Sequence, residues 1–89
     1  MPKATLEIQN IKGLHARASA KLAEVVEAHD ADAIVSKDGM NADGASIMGL
    51  LMLAATIGSE IEVETRGSQA DALLDAIRDL VNDKFGEGD

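Results

Sequence analysis

The chain has no cysteine, so neither a disulfide framework nor a thiolate metal site can form. Aromatic residues are nearly missing. Phe85 is the only one, which excludes gripping single-stranded nucleic acid by stacking bases. Basic residues are scarce as well: 8 lysines and arginines stand against 16 acids, a formal net charge of −8. Such a balance opposes a general nucleic-acid or anionic-membrane partner. No long apolar run is present. The longest uncharged stretch, residues 44–59, is 16 residues broken by Gly, Ser and Thr, too short for a membrane span. Met1-Pro2-Lys3 leads straight into a strand pattern without a signal peptide. The expectation is a cytoplasmic protein with no nucleic-acid partner and no membrane insertion.

What remains is a chain of 89 residues, 46% of them hydrophobic, enough for one domain over residues 1–89 with a single core. Its most informative stretch is Gly13-Leu14-His15-Ala16-Arg17-Ala18-Ser19-Ala20-Lys21-Leu22. Ala18, Leu22, Val25 and Val26 fall at i, i+4, i+7 and i+8, the spacing of one buried helical face. His15 therefore stands at the mouth of a helix. No Ser, Thr, Asp or Asn occupies positions 13–16 to cap it. The first backbone N–H groups, those of Ala16, Arg17 and Ala18, are left as a ready anion site. Arg17 adds a planar fork suited to phosphate. After Glu7 the next acid is Glu24, and Lys12, Arg17 and Lys21 lie between. This basic island suits a negative ligand or an acidic partner, although its charge alone fits a solvated loop equally well.

In chain order, residues 4–9 alternate as a half-buried strand with Leu6 and Ile8 on one face. Residues 10–14 form a loop, and the first helix follows over residues 16–28. A second strand begins at Ala33. Asp38-Gly39 marks a type I′ hairpin, because that turn needs positive φ at both central residues. The return strand covers residues 40–42. Ser46 is the expected N-cap of a short helix from Ile47 to about Leu53. Residues 60–66 alternate strictly, with Ile61 and Val63 inward. Ser68 with Asp71 resembles a capping box, and Leu73, Ile77, Leu80 and Val81 give the last helix its stripe. Residues 85–89 are expected as a flexible tail. The order β-α-β-β-α-β-α favours one sheet with helices on one face, an α+β architecture, because each helix has a single apolar stripe to bury.

In the short helix, Leu50, Leu53 and Ala54 can face inward, while Ile47, Met48 and Leu51 lie on another side. A helix apolar on two faces is either fully buried or a docking surface, and the second suits so small a domain. His29, at a helix end among acids, is expected to be structural. Two histidines with scattered carboxylates make no recognisable metal set.

The segment from Gly13 to Leu22 resembles the active-site segment of the HPr family, the histidine-containing phosphocarriers of the bacterial sugar phosphotransferase system. Ser46-Ile47-Met48-Gly49-Leu50-Leu51-Met52-Leu53-Ala54 is similar to the regulatory-serine helix of that family. The spacing of the two segments and the element order extend the resemblance over nearly the whole chain. It implies an open-faced β-sandwich, four antiparallel strands under three helices, with no cofactor and a monomeric state. It implies that His15 takes a phosphoryl group on Nδ1 from phosphorylated enzyme I and delivers it to EIIA-type domains. Arg17 would hold the phosphoryl oxygens. Lys12, Lys21, Ile47, Met48 and Leu51 would receive partners. Ser46 would be the target of an HPr kinase/phosphorylase. Many family members carry proline where this chain has Ala18, and many kinase substrates carry lysine where it has Ala45. A purely regulatory member of a nitrogen-linked branch, and a binding module without the chemistry, are the alternatives.

Overall fold

A computed structural model describes residues 1–87; Gly88 and Asp89, the end of the expected tail, lie outside the described residues. The elements run β1 (Lys3–Glu7), α1 (Ala16–Glu27), β2 (Asp32–Lys37), β3 (Met40–Asp43), α2 (Ile47–Met52), β4 (Glu60–Arg66), α3 (Ala70–Asn82) and a closing 3₁₀ turn (Lys84–Gly86). The expected order is the observed one.

The four strands form one antiparallel sheet in the order β1-β4-β2-β3. Leu6 pairs with Ile61, Ala4 with Val63, and Val35 with both Val63 and Ala42, which puts the apolar faces of all four strands on one side. Asp38 and Gly39 both have positive φ, 51° and 82°, so the β2–β3 hairpin turns as the Asp-Gly pair predicts. β1 ends earlier than its alternation suggests. Ile8 leaves the ladder yet stays fully buried, and it exchanges hydrogen bonds with Gly58 and Ser59 in the loop before β4.

Helix α1 lays Ala18, Ser19, Leu22, Ala23 and Val26 on the core, and α3 lays Leu73, Leu74, Ile77 and Val81. Ser19 is buried without loss because its hydroxyl donates to the Leu14 carbonyl at 3.2 Å. Two helix ends differ in outcome. Ser46 caps α2 as expected, its Oγ accepting from Gly49 N at 3.0 Å. Ser68 does not cap α3: its hydroxyl donates to Asp30 across the molecule, and Gln69 takes the cap position without a side-chain bond. In α2 only Leu50 is buried, joined by Leu53 just beyond it. Ala54 is exposed, because the chain turns there through a left-handed residue with φ of 54° and leaves the helical phase.

The tail expected over residues 85–89 does not start at Phe85, whose side chain is fully buried in the common core. Lys84 and Phe85 both have φ of 54°, and Gly86 has 73°. A left-handed non-glycine residue costs about 1 kcal/mol or more. Burial of the one large aromatic ring offsets that, at roughly 2–3 kcal/mol.

Candidate functional site

The site is built where β1, α1 and the C-terminal turn meet. After Ile8 the chain passes through Asn10, which is fully buried, and reaches Gly13. That residue has φ of 64°, and a Cβ placed on it would lie 2.2 Å from the Ala55 carbonyl oxygen. Only glycine fits both the angle and the approach. The next residue closes the seam, Leu14 N donating to Ala55 O at 2.9 Å. The loop carrying His15 is thereby tied to the segment that follows α2.

His15 is the N-cap residue of α1, with extended backbone (φ −76°, ψ −178°) and no side chain capping the helix. The N-terminal amides point out of the helix mouth as the sequence implies. Ala16 and Arg17 are exposed. Ala18 is not: it has 0% accessible surface, main chain included. Its methyl group packs in the core, and its main chain has no accessible surface beside the exposed Ala16 and Arg17. The amides of Ala16 and Arg17 remain as the accessible pair.

Lys12, Arg17 and Lys21 converge as expected. With Gly86 and Glu87 they line one cleft of about 340 Å³. Arg17 and Lys12 are exposed, while Lys21 is partly buried and donates from Nζ to the Phe85 carbonyl at 2.6 Å. The residue not foreseen is Glu87. One carboxylate oxygen lies against Nε2 of His15, and the other accepts from Asn10 Nδ2 at 3.0 Å. The His15 side chain keeps 27% of its surface exposed and Glu87 keeps 11%, so the ring is held on one edge and open elsewhere.

Around Ser46 the expected surface is present in part. Met48 is 70% and Ile47 41% exposed, whereas Leu51 is half-buried. Met52, four residues after Met48 and on the same face of the helix, is 68% exposed, and Ile11, in the loop before His15, 67%; both belong to the exposed apolar set. His29 plays the structural part: at the far end of α1, roughly 20 Å from His15 by helix rise, its Nδ1 bonds to Val25 O at 2.7 Å. No helix among the described residues is long and apolar enough to cross a membrane.

This geometry can be set beside known proteins. A family model described as the PTS HPr component phosphorylation site matches residues 2–83. The phosphocarrier protein HPr of Neisseria meningitidis is 44% identical over 89 residues, covering all of both chains. The phosphocarrier protein NPr of Escherichia coli K12 is 41% identical over 86 residues, 96% of each. Among solved structures, HPr from Thermoanaerobacter tengcongensis superposes with a TM-score of 0.93 at 32% identity, covering 98% of both chains. Sequence motif, sheet order and whole-chain likeness agree: the chain belongs to the HPr family of phosphocarriers of the phosphotransferase system.

Proposed function

We propose that His15 carries a phosphoryl group on Nδ1, received from phosphorylated enzyme I and passed to EIIA-type domains. The observation that carries this reading is the placement of His15 at the uncapped mouth of α1, beside the cleft of Lys12, Arg17 and Lys21. Phosphoryl transfer asks little covalent chemistry of the protein. It needs a nucleophile in line and positive charge around the three equatorial oxygens. The amides of Ala16 and Arg17 and the Arg17 guanidinium supply that charge, with Lys12 and Lys21 behind them. No cofactor enters, since the donor brings the phosphoryl group already activated on its own histidine. All these residues belong to one chain, so a single copy suffices.

Partners dock on the exposed side chains of Ile47 and Met48, with Leu51 at their edge and Lys12 and Lys21 attracting an acidic rim. Flexible methionines suit a surface that meets several proteins in turn. Ser46, at the start of that helix, is the regulatory position: a phosphate there gains from the helix N-terminus and spoils the docking face. A second reading uses the same chemistry for signalling in a nitrogen-linked branch, and relatives named NPr at 41% identity favour keeping it. The test is incubation with phosphoenolpyruvate and a catalytic amount of enzyme I, followed by addition of sugar-type and nitrogen-type EIIA domains. Stoichiometric labelling that passes to one EIIA class supports the carrier and identifies its branch. No uptake from phospho-enzyme I removes the reading.

A further inference from the structure

The last described residues fold back onto the active-site loop instead of leaving the domain. Three successive left-handed residues, Lys84, Phe85 and Gly86, reverse the chain. The reversal is fixed by the buried Phe85 ring and by the Lys21 ammonium on the Phe85 carbonyl. Gly86 N and Glu87 N donate to Asp83 O and Lys84 O at 2.9 and 3.0 Å, closing the turn. Glu87 is delivered by this turn to His15, across 72 residues of sequence.

Its carboxylate is held from both sides. Asn10, fully buried, donates from Nδ2 to Glu87 Oε1 at 3.0 Å and to Gly13 O at 2.8 Å. Both amide hydrogens are thus in use. Turning the amide over would set Oδ1 against two acceptors, so its orientation is determined by its neighbours. The other carboxylate oxygen of Glu87 faces Nε2 of His15. A carboxylate can only accept, so the ring nitrogen facing it must carry the hydrogen. In the neutral ring, the form that can attack phosphorus, the second nitrogen then holds the lone pair.

We infer that Glu87 is a positioning residue for phosphoryl transfer: it fixes His15 as the Nε2–H tautomer with Nδ1 as the nucleophile, and it balances the charge the ring acquires. This rests on the phosphocarrier reading. In the step, the Nδ1 lone pair forms the new N–P bond. The bond from phosphorus to the donor's histidine nitrogen breaks, and its electron pair stays on the donor ring. Nε2 keeps its hydrogen throughout. The His15 ring therefore becomes cationic as the bond forms, and a carboxylate on Nε2–H stabilises that cation in the way a carboxylate supports a catalytic imidazole. Lys12, Arg17 and Lys21 line the same cleft and limit the repulsion between Glu87 and the incoming phosphoryl oxygens.

The test compares wild type, Glu87→Gln and Glu87→Asp, all full length. Imidazole ¹⁵N shifts of His15, recorded where the ring is neutral, read the tautomer without any phosphotransfer. The expected result is a dominant Nε2–H tautomer in wild type, a mixture in Glu87→Gln, and partial restoration in Glu87→Asp. Uptake from phospho-enzyme I should fall about 10-fold to 100-fold in Glu87→Gln, the range for loss of a ring-orienting partner, with an unchanged melting curve. An unchanged tautomer in Glu87→Gln, or uptake as fast as or faster than wild type, would overturn the inference; faster uptake would instead mark Glu87 as a competing anion in the cleft. A wild-type chain with the expected tautomer but no uptake would refute the phosphocarrier reading and leave the Glu87 contact standing.

Discussion

Replacing Gly13 by alanine tests how the fold holds His15 in place. The residue has φ of +64°, and an added Cβ would meet Ala55 O at 2.2 Å, Thr56 Cα at 3.0 Å and Ala55 C at 3.2 Å. Those are backbone atoms, so no side chain can swing aside. The left-handed angle alone costs about 1 kcal/mol. To relieve the contact the loop must move by roughly an ångström, which breaks the Leu14 N to Ala55 O bond of 2.9 Å. A broken buried pair adds on the order of 1–3 kcal/mol. The sum is about 2–4 kcal/mol, or roughly 8–32 °C in Tm at 4–8 °C per kcal/mol for a domain of this size. Gly39→Ala is the matched control: its φ is +82°, but nothing lies within 4 Å of the added Cβ. It should lose only the backbone part, about 1 kcal/mol. Thermal melts of both variants separate the two contributions. Phosphoryl uptake should fall in Gly13→Ala well beyond any unfolding, since displacement of a reacting group by about 1 Å can cost 100-fold. Equal Tm losses for the two variants would refute the close-approach argument. Full activity in Gly13→Ala would show that His15 does not depend on this seam.

Arg17→Ala should melt like wild type, because the side chain is exposed, yet transfer on the order of 100-fold more slowly; rapid-quench measurement of phosphoryl uptake checks it. Ser46→Asp should keep the fold, since Asp caps as well as Ser, and should weaken binding to enzyme I. Titration at low and high salt reads the cause: the defect shrinks with salt if repulsion dominates and persists if desolvation does. Phe85→Ala should cost about 3–5 kcal/mol by denaturant unfolding, because it empties a fully buried aromatic site.

Much of this molecule is written locally. The α1 stripe, the Asp38-Gly39 turn, the Ser46 cap and the β4 alternation each depend on a few neighbouring residues, and each appears where its pattern falls. The α3 cap does not, because Ser68 is taken by Asp30, 38 residues away, and nothing near Ser68 announces that competitor. Ala18 was legible in principle. It belongs to the apolar stripe, and the stripe seats its side chain in the core. Asn10 left a signal too: it continues the inward period of Leu6 and Ile8, and a polar side chain in an apolar phase asks for partners. Glu87 left none of its own, although the sole aromatic, Phe85, in an otherwise polar end had only the core to go to. The contact of Glu87 with His15 is created by topology, not by spacing.

The central claim is that His15 carries the phosphoryl group, on Nδ1. The most direct measurement is a long-range ¹H–¹⁵N spectrum of the chain labelled in its histidine rings, recorded before and after phosphorylation by enzyme I and phosphoenolpyruvate. The account predicts that the Nδ1 resonance of His15 alone moves and couples to phosphorus, that His29 is unchanged, and that His15→Ala takes up nothing. Phosphorus on His29, or uptake undiminished in His15→Ala, would contradict it.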